Sequence, residues 1–265
     1  MMYIWKEWKE QSRGKGIWLS LMMLILISIS VLLQATSFPS DQGFEVFLLS
    51  LYDVNVYVIP LLTLFLASFS IMQEKEQKTL YFLLTKKESY RSFLWKKSAA
   101  VQCVTLSIFM GWYFILAIPM KFFFTFHLGH YLVFFVVLAV LILIFNQLGL
   151  FLGSILSNRM QLIGANIFVW FLFIFLFDLI ALYYLPYVTV QNMKWFSLVY
   201  FLNPLHTLRF YLETSIGMFP LEHMSRLMEK MVWLPPVVFF LIDVVLWVLS
   251  TFLLANSLHQ KGGRV

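Results

Sequence analysis

Apolar residues in this chain fall in long unbroken runs, neither alternating nor confined to one helical stripe. A helix needs roughly 20 apolar residues to cross the ~30 Å hydrocarbon layer of a bilayer. Six runs reach that scale: Ile17–Ala35, Val54–Met72, Val101–Pro119, Tyr131–Leu152, Leu162–Leu185 and Val232–Asn256. Backbone groups in lipid must be satisfied within a helix or a closed barrel. A barrel needs period-two alternation, which these runs lack. The pattern predicts an all-α polytopic membrane protein with six transmembrane helices. Residues 1–265 read as a single membrane domain, without a soluble domain or an internal repeat.

Composition removes several function classes. Only 12% of residues are charged and 61% are hydrophobic, with a mean hydropathy of +0.84. Soluble domains average about 25% charged residues. A soluble enzyme, a disordered chain and a nucleic-acid binder are therefore not expected. The net charge of +6 belongs to residues that flank apolar runs, where Lys and Arg set membrane orientation. Lys6, Lys9, Arg13, Lys15, Lys75, Lys78, Lys86, Lys87, Arg91, Lys96, Lys97, Arg159, Lys261 and Arg264 fall on one side. Lys121, Lys194, Arg209, Arg226 and Lys230 fall on the other, and the outer loop Thr36–Asp53 has no Lys or Arg. Both termini are thus expected in the cytoplasm. The lone cysteine, Cys103, excludes an internal disulfide.

Two inner segments stand out. In residues 1–15, Ile4, Trp5 and Trp8 alternate with Lys6, Glu7, Lys9 and Glu10 at helical spacing. That suits an amphipathic helix in the headgroup layer or a plain juxtamembrane anchor. The following run lacks a small-x-small cleavage site and reads as a retained span, not a signal peptide. Residues 73–97 form the longest and most charged inner connection. Span two is expected to continue through Glu74 and Glu76 into water. Leu80, Leu83 and Leu84 can share an apolar stripe. Thr85-Lys86-Lys87-Glu88 fits a capping box, predicting a second helix from about Lys86 through Arg91 and Lys97 into span three. The pair could dock a protein or serve only as a basic anchor.

The string Glu74-Lys75-Glu76-Gln77-Lys78-Thr79-Leu80-Tyr81-Phe82-Leu83-Leu84-Thr85 resembles the E-x-E-x-G-T-L-x-x-L-L-(S/T) motif of ABC-2 type permeases. Lys78 stands where that motif has Gly, and Lys87 where a Pro is usual. Gly149–Arg159 resembles the small-residue exit from span four of the same family. Trp170–Leu179 and Leu202-Asn203-Pro204-Leu205-His206-Thr207-Leu208-Arg209 resemble one branch, the permease of the nitrous-oxide-reductase maturation transporter. His206 replaces an acidic residue of that branch's element. The resemblance implies a type V exporter-like permease fold, working as a homodimer or heterodimer in a bacterial plasma membrane. It implies a separate ATPase holding ATP and Mg, with no cofactor on this chain. Glu74, Glu76, Thr79, Leu80, Leu83, Arg91 and Lys97 would then couple to the ATPase, and an extracytoplasmic accessory protein would meet residues 186–231. Export of a peptide, antibiotic or lipid competes within the class. An ion-coupled transporter using Asp178 and Asp243, or a membrane scaffold, competes from outside it.

Catalytic motifs are missing from the sequence: no G-x-x-x-x-G-K-(S/T), no H-E-x-x-H and no G-x-S-x-G. Asp178, Asp243 and Asn146 are polar groups inside spans, where such groups mark functional sites or hydrogen-bonded helix contacts. The commoner reading is an Asp178 that is bonded to an amide or hydroxyl of a neighbouring span, or protonated. His127 and His130 make at most half a metal site, and His206, His223, Met224, Met228 and Met231 read as packing residues, so no metal is predicted. In the third outer segment, Asn203 is expected to cap a helix that begins at Pro204, carries Arg209 and Glu213 at i, i+4, and ends at Gly217. Tyr200, Phe210 and Tyr211 would hold that helix at the outer headgroup level.

Overall fold

The structure, a computed structural model, describes residues 2–36, 40–78, 89–189, 191–217 and 231–262. These residues are all-α, with no strand among them, and six helices are long and apolar enough to cross a membrane.

The short helix α1 (Met2–Arg13) is separated from α2 (Lys15–Ala35) by an extended Gly14. The long α3 (Ser40–Glu76) has 37 residues. At 1.5 Å per residue it is about 55 Å long, well beyond the hydrocarbon thickness. Most of the expected Thr36–Asp53 loop is therefore helix. Its cause is legible: Phe44, Phe47, Leu48, Leu51 and Tyr52 are fully buried and fall on one helical face. Helix α4 (Tyr90–Phe123) starts later than the expected Lys86. Its described cap is Ser89, whose hydroxyl accepts from the Ser92 amide. Helix α5 (Leu128–Ile155) is straightforward. Span five is composite: α6 (Arg159–Phe171), a π-helical stretch at Leu172–Leu176, α7 (Phe177–Tyr184) and a 3-10 turn at Leu185–Tyr187. Two shorter helices follow, α8 (Met193–Tyr200) and α9 (Pro204–Ser215), before α10 (Pro236–Gly262).

The central pair is α3 against α5, and glycine sets its spacing. A Cβ on Gly149 would sit 2.6 Å from the Leu64 carbonyl oxygen, and one on Gly153 would sit 2.6 Å from that of Ser68. Small residues four apart let helix backbones touch in lipid, where dispersion and interhelical hydrogen bonds drive association. Polar side chains supply such bonds. Asn146 donates to the Thr105 hydroxyl and to Gln102 Oε1 (3.1 Å), Ser98 donates to Gln147 (2.6 Å), and Asn166 donates to Ser68 (2.7 Å). Asn146 is thus a helix contact between α5 and α4.

Helix α2 shows why the bundle needs lipid. Ile17, Ser20, Leu24, Ser28, Val31 and Ala35 are buried along one stripe. Trp18, Leu19, Met22, Leu26, Ile29 and Leu33 on the other face are exposed and equally apolar. A water-facing helix would carry polar residues there. Trp5, Trp8, Trp18 and Trp95 lie exposed toward one end, and Tyr183, Tyr184, Tyr187 and Trp195 toward the other, as interfacial aromatic belts do.

Helix α9 departs from expectation in place, though not in form. Asn203 caps it, accepting from the Leu205 amide (3.1 Å), Pro204 opens it, and Gly217 follows its end at φ +74. It is not a surface helix. Leu205, Leu208 and Leu212 join the main core, against α3, α5 and α10. The three expected anchors also point inward: Phe210 packs with Phe201 and Phe239, Tyr211 lies on Phe240, and Tyr200 stacks on His206.

Candidate functional site

Two polar assemblies lie at opposite ends of the bundle. At the basic end, α1, the tail of α3 and the head of α4 converge on Lys97. Its ammonium, 1% exposed, is 2.5 Å from Glu7 Oε2 and 2.8 Å from Glu74 Oε1. Lys6 also reaches Glu74 (3.2 Å). Ser70 and Gln11 donate to the other Glu7 oxygen at 2.6 and 2.9 Å. Burial alone would raise the Glu7 pKa, but the Lys97 charge and these hydrogen bonds hold it below the ordinary carboxylate value. The Glu7 carboxylate is therefore ionised at neutral pH.

This geometry bears on two of the expected coupling residues. Glu74 is 2% exposed and Lys97 is 1% exposed, so neither is offered to a docking protein in this arrangement. Helical phase explains the difference. At about 100° per residue, Glu74 and Glu76 point roughly 200° apart. One faces α1 and α4, while the other lies on the open side beside Arg159, which it pairs with bidentately. Lys75 turns back to the end of α5, donating to the carbonyls of Ser154 (2.7 Å) and Leu156 (2.8 Å). Arg91 is exposed near the start of α4. Thr79, Leu80, Leu83 and the Thr85–Glu88 box lie outside the described residues. Lys78, just past α3, has φ +56, the left-handed region that a side chain rarely adopts.

At the other end, the Asn203–Arg209 element meets span five. Asn203 donates its amide to the Phe173 carbonyl (2.9 Å), inside the π-helical stretch. A π-turn shifts the usual backbone pairing, and here a side chain takes up one of its carbonyls. One helical turn on, Asp178 Oδ1 is 2.8 Å from His206 Nε2, without the alignment of a good hydrogen bond. The expected amide or hydroxyl partner for Asp178 is instead an imidazole. Burial lowers the His206 pKa below 6.5 despite the opposing Asp178 charge, so the ring is neutral at pH 7. Its face stacks on Tyr200, with centroids 4.3 Å apart. Arg209 is 2.8 Å from Glu213 and 3.6 Å from Asp53 of α3.

These groups line a cavity of about 530 Å³ among α7, α8 and α9, with Asp178, His206, Arg209 and Glu213 on its polar wall. A neighbouring apolar cavity of about 400 Å³ is lined by Phe177, Tyr184, Trp195 and Tyr200. The apolar cavity beside a polar one can hold an amphiphile, while Arg209 is already engaged by Glu213 and Asp53. Asp243 is apart from them: it is 3% exposed in α10, and neither carboxylate oxygen has a hydrogen-bond partner among the described residues.

Sequence reasoning missed Glu7, Tyr200 and Asp53. Glu7 looked like one of several charges on an amphipathic face, and Asp53 seemed to close a loop. Tyr200 carried no signal beyond its aromatic character. The chain matches no protein-family model and no curated protein.

Proposed function

We infer that this chain is the membrane-spanning, non-catalytic permease subunit of an ABC transporter, driven by a separate ATPase that docks at the basic end. The observation that carries this reading is Lys78. The backbone is left-handed there, φ +56, at the position where the ABC-2 motif has glycine. Glycine is the residue that adopts such a turn without steric cost. The backbone at Lys78 thus takes the conformation that the motif's glycine favours, despite the substitution. The described residues on either side of 79–88 are tied to the bundle, by Glu74–Lys97–Glu7, by Glu76–Arg159 and by Lys75 on the end of α5. A push on residues 79–88 would reach α1, α3, α4, α5 and α6 together.

Pairing with a second copy or a paralogue fits span five. It is the least buried of the six candidate spans, yet its Asp178 side chain is 51% exposed. A half-exposed charge within a span is costly in lipid, by about 2.5–3.5 kcal/mol at the bilayer centre on insertion scales, and a protein partner or a wet interface removes that cost. The cargo reading rests on the span-five and Asn203–Arg209 resemblance. It is maturation of nitrous oxide reductase, with peptide, antibiotic or lipid export as the alternative.

The docking test follows from exposure. Glu76→Lys with Arg91→Glu should abolish co-purification with a co-expressed ABC ATPase that the parent chain retains, while membrane insertion stays intact. Retained co-purification refutes docking at this face.

A further inference from the structure

The far end carries a second cluster that plays no part in the proposed transport role. His127 and His130 are three residues apart at the start of α5, and Glu45 comes from the first turns of α3. Glu45 Oε1 is 2.9 Å from His130 Nδ1 and 3.6 Å from His127 Nδ1, and all three atoms lie within 4.8 Å of one another. We propose that Glu45, His127 and His130 form a three-ligand site for a divalent ion of the zinc class.

Three features support this. First, the spacing matches. Metal–ligand bonds of about 2.0–2.1 Å at the tetrahedral angle put ligand atoms about 3.3 Å apart, between the two Glu45–imidazole distances, and the two ring nitrogens lie within 4.8 Å of each other. The 3.6 Å contact is too long for a hydrogen bond, so an ion pair with His130 does not explain why His127 also faces the same oxygen. Second, His127 occupies the N-cap position of α5, yet its side chain makes no capping hydrogen bond. Its Nδ1 is turned to the carboxylate instead. Third, the donor set is two imidazoles and one carboxylate, the combination that borderline divalent ions take with a fourth position left to water. The His127 side chain is 57% exposed, which leaves that position open to solvent. The start of α5 repels a cation slightly, and the Glu45 charge opposes that repulsion. A bound ion would pin the head of α3 to the head of α5, the same two helices that meet at Gly149 and Gly153.

The test uses the full chain, without a polyhistidine tag, in lipid nanodiscs and stripped by chelator. Zn²⁺ is titrated against a chromophoric competitor. One ion per chain is expected, and binding should weaken by more than about tenfold in His130→Ala and in Glu45→Gln. His206→Ala should bind as the parent does. Because a variant can fail by misfolding, the parent chain is also loaded with Co²⁺. Intense visible absorption of a four-coordinate ion is expected and should vanish on Zn²⁺ addition. Absence of stoichiometric Zn²⁺ and Co²⁺ binding by the parent overturns the site. So does unchanged binding in both ligand variants, or equal loss in His206→Ala.

Discussion

Lys97 is surrounded by two carboxylates, and its ammonium is 1% exposed. Taking those charges out of water is costly, and their mutual attraction roughly offsets it when every partner is present. Removing one member leaves the others uncompensated. Lys97→Met should therefore destabilise the chain by about 3–5 kcal/mol, whereas Lys97→Met with Glu7→Gln and Glu74→Gln should recover most of that. Denaturant titration in a mild detergent, followed by tryptophan fluorescence, separates the two. A single substitution as benign as the triple one would mean that the network carries no weight. This assembly was only half legible. The sequence placed Glu74 and Lys97 near one membrane face, but charge alone does not show whether a residue points at water or at another helix. That depended on Glu7, which lies 90 residues from Lys97.

At the level of elements, the seam between α3 and α5 is the most constrained contact. Alanine at Gly149 or Gly153 would bring a methyl carbon within 2.6 Å of a backbone oxygen of α3. A backbone atom cannot rotate aside, so the helices must separate along the seam. Gly149→Ala and Gly153→Ala should each destabilise by about 1–3 kcal/mol. Gly164→Ala should cost nothing through contact, since no atom lies within 4 Å of its would-be Cβ. Comparing the three melting temperatures tests this, and a Gly164 variant as damaged as the other two would contradict it. The Gly149 and Gly153 pair was visible in the sequence as a small-residue motif. The early start of α3 was missed: Phe44, Phe47, Leu48 and Leu51 have helical spacing, but Asp41, Glu45 and Asp53 lie around them and the stretch read as a loop. The π-helical stretch had no sequence signal; it coincides with the place where Asn203 of a later segment takes the Phe173 carbonyl.

For the whole molecule, span number and helical class follow from hydrophobic run length, because lipid leaves the backbone few alternatives. The position of α9 did not follow, since an amphipathic segment can bury its face in lipid or between helices, and only packing against α3, α5 and α10 decides. Orientation follows from charge. Arg91 is exposed at the basic end and Lys194 at the opposite end. Cys103, the only cysteine, is removed first as Cys103→Ser so that a single thiol can be placed at will. The expectation under test is that the Lys/Arg excess orients the basic end toward the cytoplasm. In intact cells, Lys194→Cys should then react with a membrane-impermeant maleimide, and Arg91→Cys should react only after permeabilisation. Both thiols reacting in intact cells would break the six-span topology. The reverse pattern would turn the protein over and place the proposed ATPase-docking end on the wrong side of the membrane, where no nucleotide-driven partner is available to it.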